Sequence, residues 1–369
     1  MRHSVVPHPL LTDLPTGKLT PKTMKALKIV SPGRAEIQTV PVPRLRDQYV
    51  LVKVKAVAIN PTDWKHIDSQ ENAKPGLTSG CDFCGTVVAL GPNCTKKYKP
   101  GDMISGVTHG ANASEREDGC FGEYAVVKEG CSMRVPDRMS PEEAATTGVA
   151  VLTIALGLYQ KLGMQMPGAK GAKKNEWMMV YGGSSAMGSM AIQCAVLSGY
   201  KVVTTSSPRN YDLVKSMGAE AAFDYNDPSC GKKINELTKD SLKLVFDCIS
   251  EGSSPEICCA AVSFSGGKVA YLLPAQHSRK DVESLHVLGY TGIGEAFTKY
   301  GRDFPASPED YRVVSEMFMV AEKLYAERRL TAHPPKVGRQ GFEGVLEGLQ
   351  TMRDGKVSGV KLVHQISMQ

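Results

Sequence analysis

The period of apolar and polar positions changes near residue 177. Before it, short alternating runs lie between glycines and prolines. Residues 49–59, YVLVKVKAVAI, alternate most clearly and predict a strand with one buried face. Residues 25–29, 36–41, 85–90, 102–107 and 122–127 predict further strands, together a small β-barrel-like unit. Ser140, Pro141 and Glu143 read as N-cap, first helical position and capping-box partner. Residues 146–162 then predict an apolar helix crossing between units. From residue 177 the rhythm becomes strand, helix, strand. Strands are predicted at 177–181, 201–206, 221–225, 244–249, 268–273 and near 286–290. Helices are predicted at 185–198, 209–217, 232–238 and 254–262. That alternation predicts an α/β chain with a doubly wound parallel sheet. Residues 292–311 read as a polar, aromatic loop, 309–330 as a long helix, 341–354 as a helix, and 361–366 as a strand returning to the first unit.

The 369 residues are enough for two cores. The pattern divides them into an arm at 1–23, a first unit at 24–150 with 330–369, and a cofactor unit at 151–329. Residues 42% hydrophobic and 22% charged describe a globular chain. The net charge of +6 comes from dispersed Lys and Arg, so no nucleic-acid partner is indicated. The KGAKK block at 170–174 reads as a solvated loop. No apolar run reaches the roughly 18 residues of a membrane span, and Pro7 and Pro9 interrupt any signal-like segment. A cytoplasmic protein with no membrane partner is the expectation.

The segment 177–210, WMMVYGGSSAMGSMAIQCAVLSGYKVVTTSSPRN, carries the most chemical information. Gly182 and Gly183 permit a tight turn, and Ala186, Gly188 and Ala191 are small enough for close packing on the sheet. The helix N-terminus that follows suits a pyrophosphate. The second strand ends in Ser206, Ser207, Pro208, Arg209 and Asn210, with no acidic residue for a ribose 2′-hydroxyl. Hydroxyls and a guanidinium suit a 2′-phosphate, which predicts NADPH. The loop GGSSAMG departs from G-x-G-x-x-G, so its context carries the reading. Tyr211 and Lys215 form Y-x-x-x-K by chance, on a helix away from strand ends.

Of the ten cysteines, Cys81 and Cys84 form a C-x-x-C that no second pair completes. Reduced, buried thiols and no metal are expected. His66 follows Lys65, and His109, His277, His286 and His333 show no metal spacing; none is assigned a role.

Longer motifs resemble the zinc-independent medium-chain dehydrogenase/reductase superfamily. They are NPTDWK at 60–65, GCDFCGTVVALG at 80–91, Gly101-Asp102, Gly122-Glu123-Tyr124 and TTGVAVLTIALGL from Thr146. Phe223-Asp224-Tyr225, Asp247-Cys248 and Gly266-Gly267 continue them. VKVKAVAINPTDWK, YGGSSA, SSPRNYDLVKSMGAEAAFDY, FDCIS and DGKVSGVKLV are more particularly similar to the trans-acting enoyl reductases of fungal polyketide pathways, of the kind that assists lovastatin synthase. The resemblance implies a GroES-like catalytic domain beside a Rossmann-type domain. Zinc-using members carry a Cys where this chain has Asn60, and Gly-His-Glu where it has Gly80-Cys81-Asp82. With that His missing, the resemblance implies hydride addition to an activated C=C.

The implied reaction reduces an α,β-unsaturated polyketide thioester on the carrier domain of a polyketide synthase or synthase–peptide synthetase hybrid. The implied catalytic residues are Lys65, Thr153 and Asp63. Lys65 is otherwise a surface lysine, Thr153 a helix-interior threonine, and Asp63 a helix cap rather than an orienter of Lys65. The implied cofactor set is Thr62, Asp63, Trp64, Lys65, Ser184, Ser185, Ala186, Met187, Ser207, Pro208, Arg209, Asn210, Tyr225, Leu272, Leu273, Val357 and Ser358. For the acyl chain the resemblance implies Ala155, Leu156, Gly157, Leu158, Tyr159, Gln160, Lys161 and Leu162, with Gly289, Tyr290, Thr291, Gly292 and Ile293. A free-standing quinone or enone reductase, and a non-catalytic NADPH-binding protein, are the alternatives. A monomer is the expected state.

Overall fold

The structure is a computed structural model that describes residues 20–168 and 175–366. Most of the arm at 1–23 and the block at 170–174 lie outside the described residues. The chain opens with β1 (Thr23–Ser31), β2 (Arg34–Pro41), β3 (Tyr49–Ala58), α1 (Pro61–Asp68), β4 (Asp82–Leu90), β5 (Met103–Val107), β6 (Tyr124–Lys128) and β7 (Ser132–Arg134). Then come α2 (Pro141–Ala144) and α3 (Gly148–Ile154). The second part holds β8 (Trp177–Tyr181), α4 (Ala186–Leu197), β9 (Lys201–Thr205), α5 (Tyr211–Ser216), β10 (Ala221–Phe223), α6 (Cys230–Leu237), β11 (Leu244–Asp247), α7 (Ser254–Ala261), β12 (Gly267–Tyr271) and β13 (Val282–His286). It closes with β14 (Phe297–Lys299), β15 (Arg302–Phe304), α8 (Pro308–Ala326), β16 (Pro335–Gly338), α9 (Gly341–Arg353) and β17 (Lys361–Gln365).

Two large sheets follow from the change of period, beside the separate two-stranded pairs β1-β2 and β14-β15. One runs β16-β17-β3-β4-β5-β7, with β6 also on β3. It is antiparallel except where β16 meets β17. β3 takes the centre because its alternate residues Val50, Val52 and Val54 are buried in the main core. The other sheet runs β10-β9-β8-β11-β12-β13 and is parallel throughout. Its central strands bury both faces, as their continuous apolar runs require. The chain leaves β8 in one direction and resumes at β11 in the other. Such a reversal opens a crevice at the carboxyl ends of neighbouring strands. One apolar cluster joins the sheets, running from Val52 and Phe83 through Leu152 and Leu156 to Val180 and Phe246.

Several expectations need correction. The helix predicted across 146–162 runs from Gly148 to Lys161, but it is separated from the capped start at Ser140 by a turn at 145–147 and changes from α to π at Ala155. The capping box on Ser140 is present, but α2 lasts four residues. α3 then passes into a π-helix, Ala155–Lys161, against α8. The edge strand predicted at 286–290 lies earlier, as Val282–His286, and Gly289–Ile293 forms a 3₁₀ turn. The loop predicted over 292–311 contains the β14–β15 hairpin. β16, which pairs with β17, was not foreseen.

Candidate active site

A cleft of about 1410 Å³ lies between the two sheets, at the reversal of strand order. Its first wall is α1. Asn60 caps this helix, and Asp63 returns the capping box by accepting the Asn60 backbone N–H at 2.7 Å. Burial pushes the Asp63 carboxyl up to about 7, against the opposing pull of that hydrogen bond. Asp63 therefore holds the helix start. Lys65 pairs instead with Glu251 at 2.6 Å, across the cleft in the loop after β11. Thr62 presents its hydroxyl 2.6 Å from that of Tyr290.

Beside α1 lies a buried ionic cluster whose Asn60 and Lys361 reach the cleft lining. Asp82 accepts from Asn60 Nδ2 at 2.8 Å, from the Val149 backbone N–H at 2.6 Å, and from Lys361 Nζ. Lys361 also donates to Asn60 Oδ1 at 2.9 Å. Its ammonium thus supplies the positive charge that buried Asp82 requires. The burial pushes the Cys81 thiol well above its ordinary value, so it stays protonated. Among the described residues no three His, Cys, Asp or Glu side chains group to hold a metal ion.

The second wall is the glycine turn after β8. Gly182 has φ +78° and sits against Ile249 of the neighbouring strand end. Ser185 caps α4 by accepting the Gly188 N–H at 3.0 Å. Ser184, Ser185, Ala186 and Met187 line the cleft at this helix N-terminus. At its far end Ser207 and Tyr225 bond each other at 3.0 Å, beside Arg209. Tyr225 lies just past β10, which ends at Phe223. Asp247 organises the loop that carries Glu251, accepting the N–H groups of Ile249 and Ser250 and the Ser254 hydroxyl.

The third wall comes from α3 and the π-helix. Val149, Leu152, Thr153, Leu156 and Gln160 face the cleft at helical spacing. Ala150 lines it too, and most of the residues between Thr153 and Gln160 face the core. Ala155, Gly157, Leu158, Tyr159 and Leu162 therefore do not line the cleft, contrary to the expected acyl set. Gly157 lies on Phe246, and the Tyr159 hydroxyl reaches Ser198. Of that expected segment, Leu156, Gln160 and Lys161 remain in the lining. Gly289, Tyr290, Thr291 and Ile293 join them, whereas Gly292 packs on Val314 and Leu152.

The expected cofactor residues divide the same way. Thr62, Lys65, Ser184 to Met187, Ser207, Arg209, Tyr225, Leu272, Leu273, Val357 and Ser358 line the cleft. Asp63, Trp64, Pro208 and Asn210 do not. Trp64 packs on the core with Arg353 over its ring, Pro208 starts a 3₁₀ turn, and Asn210 donates to Ser358 at 3.1 Å. The cleft thus offers helix N–H groups, hydroxyls and a guanidinium, and this fits a nicotinamide dinucleotide.

Sequence reasoning missed a polar cluster beneath Tyr290. His109 stacks on the Tyr290 ring at 4.1 Å between centroids, and Lys299 Nζ lies 4.6 Å from that ring's centre. His66 Nδ1 lies 3.4 Å from the Tyr290 hydroxyl. The 224 residues between His66 and Tyr290, and the 190 between His109 and Lys299, whose Nε2 and Nζ lie 3.3 Å apart, hide this cluster from any local signal.

Comparisons with known proteins agree with this architecture. The alcohol dehydrogenase GroES-like domain matches residues 46–137, and the zinc-binding dehydrogenase domain matches 186–307. The trans-enoyl reductase ACTTS2 of Alternaria alternata is 40% identical over 345 residues, covering 93% of this chain and 99% of the relative. The trans-enoyl reductase resD of Aspergillus sclerotiorum is 38% identical over 359 residues, covering 93% and 100%. Among solved structures, the CurK enoyl reductase superposes with a TM-score of 0.76 at 17% identity, covering 94% of this chain and all of that one. A mycobacterial protein solved with NADPH superposes with a TM-score of 0.70 at 19% identity, covering 93% and 99%.

Proposed function

Because the chain belongs to the trans-enoyl reductases of the medium-chain dehydrogenase/reductase superfamily, we propose that it reduces the C=C of an α,β-unsaturated polyketide thioester with NADPH. The acyl chain is delivered on the carrier domain of a polyketide synthase or synthase–peptide synthetase hybrid. The observation that carries this reading is a single cleft that joins a phosphate-type end, at Ser184 to Met187 and Arg209, to an apolar end, at Leu152, Leu156 and Ile293. We also propose the division into 24–150 with 330–369, and 151–329.

When bound, the cofactor supplies the hydride that the β-carbon receives. The chain's residues orient and stabilise. Ser207 and Arg209 select the 2′-phosphate. Thr153, on the cleft face of α3, fixes the reacting end of the cleft. Lys65 exchanges Glu251 for an anionic or carbonyl oxygen and stabilises charge developing on the thioester oxygen. The apolar lining of α3 and the 3₁₀ turn holds the acyl chain and excludes water.

The direct test is NADPH oxidation with a short enoyl-pantetheine thioester beside a free quinone. Turnover on the thioester is expected. Turnover on the quinone alone would move the protein to quinone or enone reduction and remove the tethered substrate. Lys65→Met is expected to lower turnover on the thioester by about 10²-fold, the size of one lost charge-stabilising donor.

A further inference from the structure

Reduction of the C=C leaves one requirement unassigned. After hydride reaches the β-carbon, the electron pair resides on the enolate, and a proton must arrive at the α-carbon. Resting on the reading above, we propose that Tyr290 is the proton donor and that His66 and Tyr300 form the relay that reloads it from solvent.

The geometry makes a continuous path. Tyr290 lines the cleft, and its hydroxyl lies 2.6 Å from Thr62 Oγ1, three residues before Lys65. Behind that hydroxyl is His66 Nδ1 at 3.4 Å. The other face of the same ring, Nε2, lies 3.4 Å from the Tyr300 hydroxyl. His66 is buried, whereas Tyr300 is 44% exposed, so the path ends at water. The His66 and Tyr300 rings are 6.4 Å apart, and Tyr300 stands on the β14–β15 turn. Lys299, on the same hairpin, places its ammonium over the Tyr290 ring, and His109 stacks on that ring with its Nε2 3.3 Å from the ammonium. An ammonium over the ring stabilises the phenolate that proton donation leaves.

The transfer balances. The Tyr290 O–H bond breaks as the α C–H bond forms, and the enolate electron pair becomes that bond. The phenolate takes the Nδ1 proton of His66, Nε2 takes the Tyr300 proton, and Tyr300 takes one from water. Burial holds the His66 ring neutral, as a tautomer relay needs. After product leaves, the tautomer is reset: Tyr290 gives its proton to Nδ1 and takes one from water in the cleft, while Nε2 gives its proton to Tyr300 and Tyr300 releases one to bulk water, neutralising the hydroxide left by the first pass.

The test is reduction in deuterium oxide, with the face of α-deuteration read from the product. Wild type is expected to deuterate one face only. Tyr290→Phe is expected to lose about 10²-fold in turnover, to spread deuterium over both faces, and to keep its NADPH affinity by calorimetry. Wild-type turnover and one-faced label in Tyr290→Phe would overturn the donor. Tyr300→Phe, a conservative change at an exposed position, is expected to slow turnover several-fold with the face preserved and an altered solvent isotope effect; no change in either would overturn the relay. In the protein without cofactor, nitrogen NMR should find His66 protonated at Nδ1, and a stable Nε2 tautomer would overturn the starting state. A wild type that binds NADPH but reduces no enoyl thioester overturns the functional reading, and this assignment falls with it. Turnover in wild type with an indifferent Tyr290→Phe overturns this assignment alone.

Discussion

Lys299 shows how one residue's cost depends on where the fold puts it. Its ammonium is buried beside His109 and the Ala111 carbonyl, and burial lowers its pKa from 10.5 to about 8. The native state therefore binds fewer protons than the unfolded chain between those values. Stability should rise with pH across that window. Lys299→Met removes the effect, so the variant's advantage over wild type should shrink between pH 8 and 10.5 by an amount on the order of 3 kcal/mol. Urea denaturation of both proteins at several pH values measures it, and a constant difference would contradict the buried charge. Arg209 presents the opposite case, a cation at the cleft's far end with no ion pair among the described residues. Arg209→Ala should weaken NADPH about tenfold and leave NADH nearly unchanged, because only a 2′-phosphate makes the charge-assisted bond. Calorimetric titration with each cofactor checks it. Arg209 was legible in the sequence because its position after a strand carries meaning. Lys299 was not, because its partners come from distant segments.

At the scale of the element, the cofactor turn depends on how closely α4 approaches β8. A Cβ on Gly188 would press into the Gly182 carbonyl oxygen and lie 2.6 Å from Gly183 Cα. No rotamer relieves that contact, because both partners are backbone. Gly188→Ala should destabilise by about 1–3 kcal/mol and weaken NADPH, since α4 must shift outward. Thermal denaturation with and without cofactor tests it, and an unchanged melting temperature would mean that the turn yields freely. The smallness of this position was visible in the sequence pattern. The change from α to π at Ala155 was not, because the apolar run of 146–162 is compatible with a straight α-helix. Packing against α8 and Phe246 accompanies the π-helical turn, which puts Leu156 and Gln160 into the cleft and Ala155, Leu158 and Tyr159 into the core.

At the scale of the molecule, the cleft has walls from both sheets, bridged by Lys65 and Glu251. A ligand that fills it holds the two sheets together. NADPH at 100 times its dissociation constant should raise stability by about 3 kcal/mol in one cooperative transition. Differential scanning calorimetry measures this, and a cofactor that shifts only part of the transition would mean that the sheets melt independently. Among the described residues no helix is long and apolar enough to cross a membrane.

The chain's own order of apolar and polar residues determined the α/β class, the parallel sheet, the glycine turn and the basic, hydroxyl-rich end of the second strand. These depend on period, chain stereochemistry and short-range contacts, which a linear pattern records. Tertiary structure alone decided which faces of 155–162 meet the cleft, that Lys65 pairs with Glu251 rather than Asp63, and that Lys361 neutralises Asp82. It also decided that His66, Tyr290 and Tyr300 form one path. Each of these joins residues far apart along the chain, and their chemistry arises from burial and distance, which exist only once the sheets have packed.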